Sequence, residues 1–264
     1  MSIFEAIVLG VIQGLTEFIP VSSSGHEVLA EYFFGTGHDH LFLEFINIGT
    51  VLALVIYFWP KIVNLFEEVA FRHNYRLARN ILISAVPAGL VGLLFATFIE
   101  TNSFFSNPWV VVIMMLLVGI IMVYLEKLPR LHTTKDGESM SSKRALTIGL
   151  AQTVALIPGT SRSGSTIIAG RLMGLSPAAA AEYSFLLSIP IMLGVIAKLL
   201  FKSSDREYLM QNLAPIVVSN VVALISGLIA VGFLMRYLKN HNLSVFGWYR
   251  IGLAVVVMGV LLLQ

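Results

Sequence analysis

Of the 264 residues, 57% are hydrophobic and 12% are charged, and mean hydropathy is +0.85; an average soluble domain carries about 25% charged residues, so the composition excludes an ordinary soluble globule. A net charge of +2 excludes the broad basic footprint of a nucleic-acid binder. The absence of cysteine excludes disulfides and thiolate metal sites.

In chain order, residues 2–34 are apolar in sum but broken near the middle by Pro20-Val-Ser-Ser-Ser-Gly25. The first lysine or arginine is Lys61, so the basic start of a cleavable signal is missing and this segment is expected in the mature protein. Continuous apolar stretches follow at 41–59, 81–99 and 108–126. Each has about the 20 residues that a helix needs to cross a hydrocarbon core. Residues 127–144, with Pro, Gly, Ser and mixed charge, form the expected linker. Residues 145–175 are again apolar but broken, here by Pro158-Gly-Thr-Ser-Arg-Ser-Gly164. Three more apolar stretches close the chain, at 182–201, 213–235 and 245–263.

The two broken segments are one motif used twice. Gln13 and Gln152 lie 139 positions apart, as do Ser22 and Ser161, Ser24 and Ser163, and Gly25 and Gly164. Each half-segment is too short to span, so both are expected to be re-entrant hairpins. Broken backbone at membrane depth survives only where protein buries it or a watery cavity meets it. Two such breaks in matching halves point to a site at the repeat interface.

The expected fold is therefore an all-α polytopic membrane protein, one domain over 1–264, with six transmembrane helices and two re-entrant helical hairpins. Repeat one covers about 1–126 and repeat two about 145–264. Alternating the loops puts Lys61, Arg72, Arg76, Arg79, Lys127, Arg130, Lys135, Lys143, Arg144, Arg236 and Lys239 on one side, and only Lys198, Lys202 and Arg206 on the other. The positive-inside rule then places both termini outside the cytoplasm. An odd number of crossings per half gives the repeats inverted topology.

Ionisable groups inside a span cost about 2.5–3.5 kcal/mol each, so each needs a reason. Glu17, His26 and Arg162 sit in or beside the breaks, and Gln13 shares a helix face with Glu17. Glu17 is placed to bind a cation, take a proton or pair with Arg162. Ser22, Ser23, Ser24 and Gly25 precede one new helix; Thr160, Ser161, Ser163 and Gly164 do the same in the second half. Hydroxyls and free amides at helix N-termini, with Arg162 between them, suit an anion, and a diphosphate fits two such ends better than a carboxylate does. His26, just after the serines, is a candidate base or phosphate-accepting nucleophile. Glu44 and Glu182 are expected near the starts of spans, Arg171 at the interface, and Arg250 either snorkelling or facing the cavity. Gly49, Gly89, Gly92, Gly119, Gly194, Gly227 and Gly232 are expected where helices pack closely.

With these motifs, Gln13-x-x-x-Glu17, Pro20-Val-Ser-Ser-Ser-Gly-His26 and Pro158-Gly-Thr-Ser-Arg-Ser-Gly164, the whole chain resembles the undecaprenyl-diphosphate phosphatase family of the bacitracin-resistance type. The resemblance implies hydrolysis of undecaprenyl diphosphate to undecaprenyl phosphate and phosphate, at the outer face of the bacterial cytoplasmic membrane. It implies a polyprenyl diphosphate substrate among membrane lipids, no nucleic acid, and a divalent cation, magnesium or calcium, helped by Glu17. His26 with Ser23 would be the reacting pair, and Ser161 and Arg162 would grip the diphosphate. Where many members carry a first glutamate this chain has Gln13, which removes a second charged metal ligand. A homodimer is left open. The type 2 phosphatidic acid phosphatases are a poorer match, since they need a histidine six residues after the arginine and Ile168 stands there. A polyprenyl-phosphate transporter built on the same inverted repeats is the alternative of a different class; it has less need of serines beside a histidine.

Overall fold

The computed structural model describes residues 1–34, 40–128 and 134–263, and the described residues contain helix and no strand. Residues 129–133 of the 127–144 linker therefore lie outside the described residues. The helices are α1 (Ile3–Phe18), α2 (Ser23–Phe34), α3 (His40–Tyr57), α4 (Trp59–Ala70), α5 (Arg76–Leu94), α6 (Ala96–Thr101), α7 (Ser103–Ser106) and α8 (Pro108–Leu125). After the linker come α9 (Ser142–Thr153), a 3₁₀ turn (Val154–Leu156), α10 (Arg162–Leu172), α11 (Pro177–Phe201), α12 (Ser203–Gln211), α13 (Leu213–Tyr237) and α14 (Ser244–Leu262).

Five helices, α5, α8, α11, α13 and α14, are long and apolar enough to cross a membrane. A sixth span arises if α3 is counted with α4, from which it is bent by 69°. The sequence placed that span at 41–59. The structure ends α3 at Tyr57 and turns the chain at Phe58, with Pro60 in the first turn of α4. A proline there gives up no helix hydrogen bond, because first-turn amides have no intrahelical acceptor. The span placed at 81–99 begins earlier, at Arg76, and ends at Leu94.

Shifted by 139 residues, α1, α2, α3, α5 and α8 fall on α9, α10, α11, α13 and α14. The packing follows the same correspondence: α1 lies along α13, α9 along α5, α3 against α11, and α8 against α14. Each broken segment thus packs on a long helix from the other half. Small residues make this approach close. A Cβ on Gly14 would stand 2.0 Å from Ser226 Oγ and 2.6 Å from the Ala223 carbonyl; one on Gly149 would stand 2.6 Å from the Ser84 carbonyl. Of the seven glycines expected at close contacts, Gly49, Gly119 and Gly227 are there. Gly89 and Gly194 have nothing within 4 Å, and Gly92 and Gly232 meet only one side-chain atom each, at 3.9 and 3.7 Å. Gly89 and Gly194 thus meet open space, and Gly92 and Gly232 only ordinary side-chain contact, a distinction that residue type alone does not carry.

An aromatic cluster sits beneath the first break. Phe18 meets Phe185 edge-on at 5.7 Å, and Phe58 lies 6.0 Å from the same ring. Apolar packing of this kind anchors the end of α1 against α11.

Candidate active site

The helix α1 starts in a capping box: Ser2 Oγ accepts from the Glu5 amide (3.2 Å), and Glu5 Oε2 accepts from the Ser2 amide (2.8 Å). This gives Glu5 a role that its sequence position did not suggest. The helix stops at Phe18 because Pro20 forces the preceding Ile19 into extended backbone (φ −63°, ψ 129°). The chain then turns through Ser22, whose φ is +73°, and α2 starts at Ser23. In the second half α9 passes into the 3₁₀ turn, then Pro158, then Gly159 at φ +85° and Ser161 at φ +70°. Positive φ at a non-glycine residue is uncommon and costs about 1–3 kcal/mol where the surroundings impose it. Here it falls on the same serine of both repeats. Ser161 Oγ then caps α10, accepting from the Gly164 amide at 3.1 Å, and lies 3.1 Å from Ser163 Oγ.

The two elbows touch. Arg162 Nη2 donates to Glu17 Oε1, an ion pair with both side chains largely buried. Ser163 Oγ donates to the Glu17 carbonyl at 3.3 Å, and the Gly159 amide donates to Ser24 Oγ at 3.4 Å. Gln13 Nε2 donates to Glu17 Oε2 (3.0 Å) and to Asn47 Oδ1 (2.7 Å), so Asn47 on α3 orients the pair from behind. Of the three openings left for Glu17 by the sequence, the ion pair is the one present here, with Glu17 Oε2 still turned to Gln13.

His26 is held at both nitrogens. Nδ1 lies 2.8 Å from the Ser22 carbonyl, which can only accept, so Nδ1 carries the proton. Nε2 lies 2.8 Å from the Tyr249 hydroxyl, with the two rings stacked 5.8 Å apart. In the neutral ring the lone pair on Nε2 then accepts from Tyr249. The expected Ser23–His26 contact is not made; Ser23 Oγ has no hydrogen bond among the described residues and lies one helical turn before His26. Glu27, half-buried beside them, likewise has no hydrogen-bond partner among the described residues.

Several buried polar atoms in this region have no partner: Gln13 Oε1, Ser22 Oγ, Gln152 Oε1 and Nε2, Thr160 Oγ1 and Arg162 Nε. Each would cost about 1–3 kcal/mol if left unpaired. All six belong to the two breaks or to the matched glutamines, and a polar guest would satisfy them.

Three residues of this region were not picked out as site residues from the sequence. Asn47 gives no signal there, as one amide in an apolar span. Tyr249 and Arg250 form the second turn of α14. Arg250 is fully buried, and the signal for it was present: an arginine within an apolar span must find internal acceptors. Arg171 closes the last turn of α10, as expected for the end of the second hairpin; its side chain is buried and paired with Glu126 at 3.1 Å, and Glu126 also accepts from the Leu243 amide at 3.3 Å. Glu182 pairs with Lys61 at 2.8 Å.

Comparison with known proteins gives the family. The family model described as Bacitracin resistance protein BacA matches residues 6–256. The chain is 40% identical over 270 residues to Undecaprenyl-diphosphatase 1 of Clostridioides difficile, covering 98% of this chain and 96% of that protein. It is 38% identical to Undecaprenyl-diphosphatase of Nitrosomonas europaea (97% and 93% covered) and 35% identical to that of Enterococcus faecalis (98% and 96%). The paired motifs, the matched elbows and these relatives together place the chain in the bacitracin resistance protein BacA family.

Proposed function

We propose that this chain hydrolyses undecaprenyl diphosphate to undecaprenyl phosphate and inorganic phosphate. The reaction recycles the lipid carrier of peptidoglycan synthesis and confers resistance to bacitracin. The observation that carries the reading is the joining of two serine elbows through Glu17 and Arg162 inside a multi-pass membrane protein of this family. Polyprenyl tails lie in lipid, and the diphosphate reaches the polar atoms of the elbows.

Ser22, Ser24, Gly25, Thr160, Ser161, Ser163 and Gly164 offer hydroxyls and amides to the phosphoryl oxygens, and Arg162 offers a fixed fork of donors. Donors fixed in advance at a water-poor site stabilise developing charge more than mobile water does. Ser23 Oγ attacks the terminal phosphorus and passes its proton to His26 Nε2, which turns from Tyr249. The bond from phosphorus to the bridging oxygen breaks, and undecaprenyl phosphate leaves with the proton that His26 gives back. Water then attacks the phosphoserine, its proton passing through His26 to the serine oxygen, which restores the hydroxyl and releases phosphate. The geometry serves equally for attack by His26 Nε2 itself. An acid-stable phosphoenzyme marks the serine route, an acid-labile one the histidine route.

Among the described residues no cluster of three or more His, Asp or Glu side chains can hold a metal. The residues nevertheless fit a hard divalent ion, which takes one or two protein oxygens and the rest from phosphate and water. Glu17 and the unpartnered Gln13 Oε1 would hold it, and a bound magnesium or calcium ion would neutralise phosphoryl charge.

The finer layout is part of the same reading. The breaks at Ile19–Ser22 and at 154–161 are re-entrant turns, six spans flank them, and the halves, about 1–126 and 145–264, have inverted topology. The loop charges put the termini and the site on the extracytoplasmic side of the bacterial cytoplasmic membrane. Every residue named comes from one chain, so the chemistry asks for no second copy.

Phosphate release by the purified protein in detergent tests the reading, with magnesium, with chelator, and for Arg162→Ala, Glu17→Ala and His26→Ala. Release that depends on metal and collapses in all three supports it. Full turnover by His26→Ala would sink both routes, and no release by folded wild type would favour a carrier.

A further inference from the structure

Among the described residues Arg250 is the largest fully buried side chain, and no carboxylate among them pairs with it. Its acceptors are all backbone carbonyls. Nη2 donates to Gly159 O (2.6 Å) and Thr160 O (3.2 Å), and Nη1 donates to Pro20 O (3.4 Å). Nε and Nη2 reach Met115 O and Met114 O on α8 at 3.5 Å. Pro20 and Gly159 are 139 positions apart, the offset of the repeat. One guanidinium thus grips the same carbonyl of both elbows, each two residues before the serine with positive φ. The position in the first half that matches Arg250 is Val111, so the tie exists once.

We propose that Arg250 is a positioning residue that sets the distance between the two elbows, and through it the preference of the site for a diphosphate over a single phosphate. The proposal rests on the reading that the two elbows together hold the diphosphate. Two donors on one rigid planar group bridge two carbonyls at a fixed separation, whereas a lysine ammonium on a flexible stem does not. A ligand held by one elbow needs no such separation; a ligand that spans both does. A displacement of about 1 Å in a site of this kind costs about 100-fold in rate.

Phosphate release from undecaprenyl diphosphate, and its inhibition by inorganic phosphate and by methylenediphosphonate, are measured for wild type, Arg250→Lys and Arg250→Gln in magnesium and detergent. For a variant that elutes and melts like wild type, kcat/KM falls about 100-fold. Inhibition by methylenediphosphonate weakens about tenfold or more, one lost set of contacts, while inhibition by phosphate stays within about twofold. Arg162→Lys, which alters a donor instead of a spacing, weakens both inhibitors. If neither Arg250 variant folds, Gly159→Ala takes their place, since its Cβ would stand 2.4 Å from the Val111 carbonyl and push the elbow off its tie. Equal weakening of both inhibitors, or no change in either, overturns the spacing role. Wild type that turns over substrate yet resists methylenediphosphonate overturns the two-elbow reading instead.

Discussion

Replacing Gly14 with alanine adds one methyl group where, among the described glycines, a new Cβ would come closest to a neighbour, and the structure sets its cost. The new Cβ would lie 2.0 Å from Ser226 Oγ, 2.6 Å from the Ala223 carbonyl and 2.9 Å from the Gly227 amide nitrogen. The serine hydroxyl can rotate away. The carbonyl and the amide belong to the backbone of α13 and cannot, so α1 must retreat by about 1 Å to reach ordinary contact. Overpacking costs about 1–3 kcal/mol, and two backbone clashes put this case near the top of that range. Alanine returns about 1 kcal/mol of helix propensity, leaving a net loss of about 2 kcal/mol. At about 2–4 °C per kcal/mol for a chain of this size, the melting temperature should fall by about 4–8 °C. Activity should fall further, because Glu17 sits one turn along α1 and a shift of about 1 Å costs about 100-fold. The control is Gly89→Ala, with nothing within 4 Å, where propensity acts alone and the melting temperature should rise. Thermal unfolding in detergent together with phosphate release reads all of this. If the two alanines move the melting temperature in the same direction, the packing argument is refuted.

Other substitutions separate strain, pairing and chemistry. Ser22→Gly relieves a φ of +73° and removes a hydroxyl without a partner, so the protein should gain about 1 kcal/mol in a melt while turnover drops. Unchanged stability would mean the elbow is not strained. Glu126→Gln takes the carboxylate out of the buried ion pair with Arg171 and should cost about 3–5 kcal/mol in stability, with the kcat of the surviving folded fraction preserved; a melt within error of wild type would contradict the buried pairing. Tyr249→Phe removes the hydroxyl that occupies His26 Nε2 at rest and that the chemistry must displace, so kcat should rise, by up to about tenfold, the worth of one hydrogen bond, with KM nearly constant. A loss confined to KM would instead assign Tyr249 to substrate binding.

Much of this was legible in the sequence because membrane depth makes polarity conspicuous. Glu17, His26 and Arg162 stood out against apolar surroundings, and a shared offset joined the serine breaks before any coordinate did. The family resemblance rested on those residues and is borne out by the comparisons. What escaped depends on direction. Gly14 and Gly89 are the same letter in similar helices, yet one meets a backbone and the other meets nothing. His26 and Ser23 are close in sequence, but the ring rotates to the Ser22 carbonyl and Tyr249 because those partners complete both nitrogens. Arg250 was visible as an anomaly, and its role was not, since carbonyl acceptors leave no trace in residue type.

The glycine contacts between α1 and α13 carry a mechanical consequence. Backbones that already touch leave no slack, so a small push at one helix is not absorbed by a side chain giving way. Packed elements of this sort shift between discrete arrangements and do not bend by degrees. A helix rises 1.5 Å per residue, and Gly10 and Gly14 seat in α13 one turn apart, against Ser219 and Ser226. Any sliding of α1 must jump by a full notch or not occur. The first elbow therefore rides on a ratchet locked at rest, and whatever opens the site to a lipid headgroup must move some other wall.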